Sequence, residues 1–278
     1  MKLDSINYKA ITAQPDFLAK IIRINADSDS CFQEMDNLLR SDEGAVSLIL
    51  RVANSAMYCR GKSIKTIPHA INLLGINVIR SLAILSTSRT IFTQNKNTLI
   101  KQHIWQHSLL TALASQRICI EMGEIKLGEE AFVAGLLHDI GKALLFYNYP
   151  DKYAQLLEYA LKKPCVCADA ERHFLEIDHY EVGRRAILEW KLPTHFEHYT
   201  ATHLESFSSV TMQNKVVHFL AIANSVIKYS GFGANSLDLS ERREKISHLG
   251  ASEDLCDFLL EDTFMQELTK NEIYMICI

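Results

Sequence analysis

The stretch Ala131-Phe-Val-Ala-Gly-Leu-Leu-His-Asp-Ile-Gly-Lys142 decides how the rest of this chain is interpreted. An apolar run normally leads into more core, but this one leads into an imidazole, a carboxylate, a glycine and an amine. Adjacent His138 and Asp139 offer one nitrogen and one oxygen donor, a mixture that suits Zn, Fe or Mn. Neighbours on a helix point about 100° apart, so both reach one ion only if it lies between their directions or if the helix is distorted there. Lys142, one turn beyond His138, is placed to meet a phosphate.

Composition sets the broad class of the protein. The 278 residues are 48% hydrophobic, which suffices for one large domain or two modest ones, and the 5 prolines and 11 glycines are few for a sheet-rich chain. A formal net charge of -4 provides no basic field, so we expect no nucleic-acid partner. No signal peptide or apolar stretch of membrane-spanning length is apparent, and the 7 cysteines are mostly scattered, so we expect a cytoplasmic protein with reduced thiols and no membrane partner.

Apolar residues recur with helical periodicity along the whole chain, and no segment alternates as a strand would. The pattern predicts an all-α, two-lobed helical bundle of about a dozen helices. The polar stretch 93–98 is the predicted junction, between an N-terminal lobe of residues 1–94 and a C-terminal lobe of residues 95–278. Helix starts are predicted from proline and capping residues, namely Pro15, the pair Ser30 and Gln33, Asp42, Pro68, Pro150, Asp178, Ser240 and Ser252.

Other histidines are candidates to join the His138-Asp139 pair. His107 precedes His138 by 31 residues, a separation that a helical hairpin closes. His179 follows a predicted helix cap, and His195, His198 and His203 follow Pro193. Each also has a purely structural interpretation: His107 as a half-buried residue beside Trp105, His179 as part of a helix N-terminus, and His195 and His198 as solvated side chains.

Several blocks, in this order, make the chain resemble the HDOD family, a helical signalling relative of the HD phosphohydrolases. The resemblance runs from about Ile11 to Tyr229. It is carried by Leu48-Ile-Leu-Arg-Val-Ala-Asn-Ser55, by Ala70-Ile-Asn-Leu-Leu-Gly75, by His107, by Leu136-Leu-His-Asp-Ile-Gly-Lys142, and by Asp178-His-Tyr-Glu-Val-Gly183 with Trp190-Lys-Leu-Pro193. The last fifty or so residues match less clearly.

The resemblance implies a set of site residues. HD phosphohydrolases hold metal with a histidine, the His-Asp pair and a later aspartate; His107, His138 and Asp139 match the first three, whereas the fourth position reads Asn224. His179 and His203 match histidines of the cyclic-dinucleotide phosphodiesterase branch, but a further histidine of that branch is Leu204 here. The long glycine-tyrosine-proline loop of that branch is absent. An amide carries no charge to hold a dication, so a divalent ion (Fe, Mn or Zn) is expected to be weakly held or absent.

Two functions follow as expectations. The first is a bacterial signal-transduction protein with a degenerate HD site and little hydrolase activity, acting through a signalling protein partner or a nucleotide second messenger. The alternative is a metal-dependent phosphohydrolase or phosphodiesterase that acts on a nucleotide or cyclic dinucleotide, in which Asp139 and Lys142 serve the chemistry.

Overall fold

A computed structural model describes residues 3–9, 15–59, 61, 63–93, 97–162, 167–200, 204 and 213–278. Within these ranges the regular elements are helices and no strand occurs, which confirms the all-α prediction. The helices before residue 94 are α1 (Pro15–Arg23), α2 (Cys31–Leu39), α3 (Glu43–Ala53), α4 (Ile67–Leu74) and α5 (Ile76–Thr93).

The helices after residue 96 are more numerous than predicted. They are α6 (Thr98–Ile100), α7 (His107–Glu121), α8 (Gly128–Leu137), α9 (Ile140–Asn148), α10 (Pro150–Lys162), α11 (Cys167–Leu175), α12 (His179–Glu189), α13 (Glu197–Thr200), α14 (Lys215–Lys228), α15 (Leu239–His248), α16 (Glu253–Leu260), α17 (Asp262–Lys270) and α18 (Glu272–Cys277). The long helix predicted from Leu99 to Met122 is interrupted by a π-helical segment, Lys101–Gln106, between α6 and α7.

Capping explains most helix starts, with two corrections. The Asp42 and Asp178 carboxylates accept hydrogen bonds from backbone amides of α3 and α12, as predicted. Ser30 does not cap α2, because its backbone is already helical and its hydroxyl donates to Glu34. Ser240 lies inside α15, whose capping box is formed by Asp238 and Glu241.

Both ends of the chain are attached to distant elements. The Trp190 indole donates to the Tyr8 carbonyl over 3.0 Å, and the Trp105 indole donates to the Cys277 carbonyl over 3.2 Å. The buried hydrophobic residues form one continuous core cluster from Ile6 to Cys277. The helices on the two sides of residue 94 therefore share a core, and the division of the chain into two lobes stays a prediction.

Helices α7, α8 and α14 form the centre of the molecule. Helix α8 packs against α7, α14 and α5, so it touches elements from both sides of residue 94. A methyl group on Gly135 would lie 2.4 Å from Cα of Ala112, so glycine at this position allows α8 to approach α7 closely. That approach brings the C-terminal end of α8 to the first turn of α7.

Among the described residues, no single helix is both long and apolar enough to cross a membrane. Helices α4 and α5 satisfy the length and composition test only as a pair, and they are bent by 117° relative to each other.

Candidate metal centre

The His138-Asp139 pair lies at a break between two helices. Helix α8 ends at Leu137 and α9 begins at Ile140, while Asp139 has non-helical dihedrals of φ -99° and ψ 17°. The His138 amide still donates to the Ala134 carbonyl, over 2.9 Å. The helix is therefore interrupted at Asp139, which is the distortion that would allow neighbouring residues to reach one ion. The side chains of His138 and Asp139 accordingly point toward the same position.

Three buried side chains converge at this point. His107 Nε2 lies 3.2 Å from His138 Nε2 and 3.5 Å from Asp139 Oδ2, and His138 Nε2 lies 3.4 Å from the same carboxylate oxygen. His107, at the start of α7, is 1% exposed, and His138 and Asp139 are 3% and 2% exposed. The structure therefore brings together the three residues that the sequence placed in one site.

The ring orientations of the two histidines fit a bound cation. His107 Nδ1 lies 2.6 Å from the Phe232 carbonyl, and His138 Nδ1 lies 2.8 Å from the Gly135 carbonyl. Since a carbonyl only accepts, each Nδ1 carries the hydrogen, and a neutral ring then directs its Nε2 lone pair toward the other ring. When both rings are neutral, the two facing lone pairs have no donor between them, and a divalent ion would satisfy both beside Asp139 Oδ2, which also accepts from Lys142. These are also the second-shell contacts typical of metal-binding histidines.

The charges of the site suit metal binding as well. Burial lowers the pKa of His107 to about 3, which outweighs the opposite effect of Asp139. Burial would raise the pKa of Asp139, but the neighbouring His138 and Lys142 hold it well below its usual range. A neutral imidazole and an ionised carboxylate are the forms that ligate a metal.

Lys142 contacts the carboxylate itself. Its ammonium lies 2.7 Å from Asp139 Oδ2, the oxygen that faces both histidines, and its side chain is 15% exposed. Although burial disfavours the charge, Asp139 raises the pKa of Lys142, so the amine stays protonated. The predicted contact of Lys142 with a phosphate stays a prediction.

His179, at the start of α12, lies beside this cluster and is held by Glu171. Its Nε2 is 3.9 Å from Asp139 Oδ1. Glu171 Oε2 accepts hydrogen bonds from Nδ1 and from the backbone amide of His179, over 2.5 and 2.8 Å. Glu171 Oε1 accepts from the Tyr153 hydroxyl over 2.5 Å. A fully buried carboxylate thus orients the His179 ring with Nε2 toward Asp139.

The remaining candidate residues have no described contact with the three-residue cluster. Asn224 is 7% exposed in α14, a helix that packs against α7 and α8. His203 lies outside the described residues. His195 and His198 are exposed, as their solvated interpretation expected. Metal binding by Asn224 and His203 stays a prediction.

Sequence reasoning missed two supporting features. Glu171 lies four residues from both Cys167 and Leu175 on the buried face of α11, and a charged residue within such a stripe was the available signal. The Phe232-Gly233 turn fixes two histidines, because the Phe232 carbonyl accepts from His107 and the Gly233 amide donates to His103 Nδ1 over 3.0 Å. No local pattern indicates that contact, since the turn is more than 120 residues away.

One sequence relative is distant and longer. A protein of uncharacterized function from Treponema pallidum (strain Nichols) is 21% identical over 215 residues, which are 77% of this chain and 42% of the relative. The chain therefore spans about two fifths of the length of that relative.

Solved structures with similar folds include proteins from three bacteria. An HDOD domain protein with unknown function from Geobacter sulfurreducens has a TM-score of 0.74 at 22% identity, covering 95% of this chain and 91% of its own. A candidate signal transduction protein from Marinobacter aquaeolei has a TM-score of 0.71 at 15% identity, covering 95% and 58%. A candidate phosphohydrolase from Shewanella amazonensis has a TM-score of 0.63 at 20% identity, covering 97% and 96%. At these identities, the similarity concerns the fold.

The family model for the HDOD domain matches residues 11–206, which include α1 to α13 and the entire His107-His138-Asp139 cluster. The match covers well over half of the sequence, and the resemblance of the sequence blocks is thereby confirmed. This chain belongs to the HDOD domain family.

Proposed function

We propose that this chain is a regulatory signalling protein in which His107, His138 and Asp139 hold one divalent ion, and which hydrolyses phosphodiesters slowly or not at all. One observation carries the proposal. Asp139 is the single carboxylate of the described three-residue cluster, and the Lys142 ammonium lies 2.7 Å from the same oxygen that faces the two histidines.

Carboxylate charge decides how many ions such a site holds. Two-metal phosphoryl chemistry places two dications about 3.5–4 Å apart, and their mutual repulsion requires several anionic ligands. Here Asp139 Oδ2 already faces one ammonium, while Oδ1 faces His179 Nε2 at 3.9 Å. A second ion near Oδ1 would find two ligands among the described residues. Asn224, which stands where the resemblance to HD phosphohydrolases implies an aspartate, adds no charge.

A bound divalent ion would supply charge neutralisation and would lower the pKa of a coordinated water. The protein's own residues do the rest. His107 and His138 are oriented by backbone carbonyls, and Glu171 orients His179. Lys142 keeps Asp139 ionised and neutralises part of its charge. Such a preorganised centre stabilises the junction of α7, α8 and α9 and suits a structural or sensory ion.

The alternative function is a metal-dependent phosphohydrolase that acts on a nucleotide or cyclic dinucleotide. Its specific support is Lys142, which is partly exposed beside the cluster, where an amine could meet a phosphoryl oxygen. The name of the Shewanella amazonensis neighbour points the same way. In this case Asp139 would be a ligand and Lys142 a phosphate contact.

Hydrolysis of a generic phosphodiester separates the two functions. Bis(p-nitrophenyl) phosphate and cyclic dinucleotides would be incubated with protein loaded with Mn²⁺, Fe²⁺ or Zn²⁺. The signalling function predicts turnover well below about 1 per second, the lower end of typical enzyme rates. Turnover at or above that rate, lost in Asp139→Asn and retained in the exposed control Glu158→Gln, would establish the hydrolase instead.

Asn224→Asp examines the missing charge. If α14 faces the ion, the added carboxylate strengthens metal binding in a calorimetric titration. An unchanged affinity would show that Asn224 does not face the ion.

For partners, we propose a signalling protein or a nucleotide second messenger, with neither nucleic acid nor membrane involved.

A further inference from the structure

One peptide group lies between two histidines of the same segment. The Phe232 carbonyl accepts a hydrogen bond from His107 Nδ1 over 2.6 Å, and the Gly233 amide donates to His103 Nδ1 over 3.0 Å. This carbonyl and this amide belong to one peptide unit, because the C=O of residue 232 is bonded to the N–H of residue 233. The unit is therefore held at both ends, by side chains that are four residues apart.

The π-helical segment Lys101–Gln106 places both histidines against this turn. His103 lies inside the segment, and His107 begins α7 directly after it. Side chains four residues apart lie on the same face of a helix, so both can contact one turn. A third hydrogen bond joins the same two parts of the chain, from Gln102 Nε2 to the Gly231 carbonyl over 3.2 Å. π-Helical turns are rare and occur frequently at functional sites.

The two histidines carry their hydrogens on different nitrogens. A peptide N–H only donates, so His103 Nδ1 is the acceptor and the neutral ring carries its hydrogen on Nε2. A carbonyl only accepts, so His107 carries its hydrogen on Nδ1 and directs its Nε2 lone pair toward His138. Burial lowers the pKa of His103, and Lys142 acts in the same direction, so the ring is neutral at neutral pH and can accept.

The hydrogen bond to His103 restrains the rotation of this peptide unit. A trans peptide is planar, so its C=O and its N–H cannot turn independently. Gly233 has φ +118°, a region that glycine enters at little steric cost, so the backbone alone does not fix the plane. His103 fixes the direction of the N–H, and the direction of the Phe232 carbonyl follows from it.

We propose that His103 is a positioning residue for the metal centre. By accepting from the Gly233 amide it fixes the carbonyl that orients His107, and it thereby raises the affinity of the cluster for a divalent ion. The effect on affinity rests on the metal centre proposed above, whereas the effect on the His107 ring does not. His103 is itself not a ligand, because Gly233 occupies Nδ1 and the hydrogen occupies Nε2.

Two substitutions separate the hydrogen bond of His103 from the bulk of its side chain. His103→Leu removes the acceptor and leaves the Gly233 amide facing an apolar group, so the peptide unit turns to find another partner. His103→Asn keeps an acceptor, because Oδ1 of asparagine is as many bonds from Cα as Nδ1 of histidine. If His103→Leu fails to fold, His103→Ser replaces it in both measurements below, since its hydroxyl ends one bond short of the Nδ1 position.

His218→Leu is the matched control. His218 lies in α14, outside the turn and the cluster, and its Nε2 lies 2.8 Å from the Leu249 carbonyl. The same substitution therefore removes another hydrogen bond between a histidine and the backbone of a turn. It accounts for any general loss of stability that such a change causes.

Calorimetric titration with Zn²⁺ at neutral pH measures the affinity of these proteins. Loss of an outer contact of a metal-binding histidine costs about 10- to 100-fold in affinity, and His103→Leu should show a loss of this size. His103→Asn and His218→Leu should bind within about threefold of the wild type, less than the smallest loss expected from a broken outer contact. Wild-type affinity in His103→Leu, or an equal loss in His103→Asn, would overturn the proposal.

Nuclear magnetic resonance of the ring nitrogens in metal-free protein tests the orientation without any ion. In the wild type, His103 should be the Nε2–H tautomer and His107 the Nδ1–H tautomer. His103→Leu should convert His107 to a mixture of tautomers, whereas His103→Asn should retain the single form. A single Nδ1–H tautomer of His107 in His103→Leu would overturn the proposal, even if the wild type binds no Zn²⁺ and the metal centre itself fails.

Discussion

His107 Nε2 and His138 Nε2 lie 3.2 Å apart, although each ring carries its hydrogen on the opposite nitrogen. Two lone pairs at this distance repel unless a proton or a metal ion lies between them. Asp139 Oδ2 is within 3.5 Å of both nitrogens and completes a set of three donors. The relationship between the two rings therefore supports the proposed metal centre.

The first prediction concerns the turn that orients His107. Gly233 has φ +118°, and a methyl group there would lie 3.0 Å from His107 Nδ1. Gly233→Ala should displace the ring from the Phe232 carbonyl and weaken Zn²⁺ binding about 10- to 100-fold, as loss of second-shell contacts does. Calorimetric titration with Zn²⁺ measures the effect.

Gly231→Ala is the matched control for this variant. Gly231 has φ +97°, but a methyl group there would have no neighbour within 4 Å. Both variants should lose about 1–3 kcal/mol of stability from the unfavourable backbone conformation. Only Gly233→Ala should lose metal affinity; equal loss in both would show that the turn affects the site through general destabilisation.

The second prediction concerns Glu171, which accepts from His179 and Tyr153 while fully buried. In Glu171→Gln an amide nitrogen replaces one acceptor oxygen, so at least one of these donors loses its partner. We expect a loss of about 1–3 kcal/mol in the free energy of unfolding, measured with urea. The exposed Glu158→Gln in α10 should change it by less than about 0.5 kcal/mol. A Glu171→Gln protein as stable as the control would mean that this network contributes little.

The third prediction concerns pH. The folded-state pKa of His107, about 3, lies below its usual value of about 6.5, so the unfolded chain takes up a proton first as pH falls. The resulting stability is fully present above pH 6.5 and is lost progressively as pH falls toward 3. For this residue the steepest loss is about 1.4 kcal/mol per pH unit.

Urea unfolding of metal-free protein at pH 7, 6 and 5 measures this dependence. His107→Gln removes the titrating ring and should make the free energy of unfolding less dependent on pH. The exposed control His195→Gln should leave this pH dependence unchanged. An identical slope in His107→Gln and the wild type would show that His107 is not held neutral by burial.

Local sequence signals predicted the helices well, because periodicity and caps act over a few residues. The apolar faces and capping residues of α3 and α12 sufficed to locate both helices. The π-helical segment before His107 escaped prediction, since the sequence around it continues a helical pattern without interruption. A π-helical turn depends on packing between distant elements and has no comparable local signal.

The candidate site was predictable in part. The order of His107, His138 and Asp139 indicated that they belong together, and the structure places them within reach of one ion. The contact of Lys142 with Asp139 was not predicted, because sequence spacing allows Lys142 to face either a carboxylate three residues away or a ligand. Contacts such as that between Phe232 and His107 require the tertiary fold.

The number of metal ions per chain tests the central claim most directly. Protein loaded with Mn²⁺ or Zn²⁺ and then dialysed would be measured by elemental analysis, beside His138→Ala and the exposed control His195→Ala. The proposed single-ion centre predicts about one ion per chain in the wild type and in His195→Ala, and a large loss in His138→Ala; a wild type that retains no ion would contradict it. Two tightly held ions per chain, or a metal content that His138→Ala leaves unchanged, would contradict it.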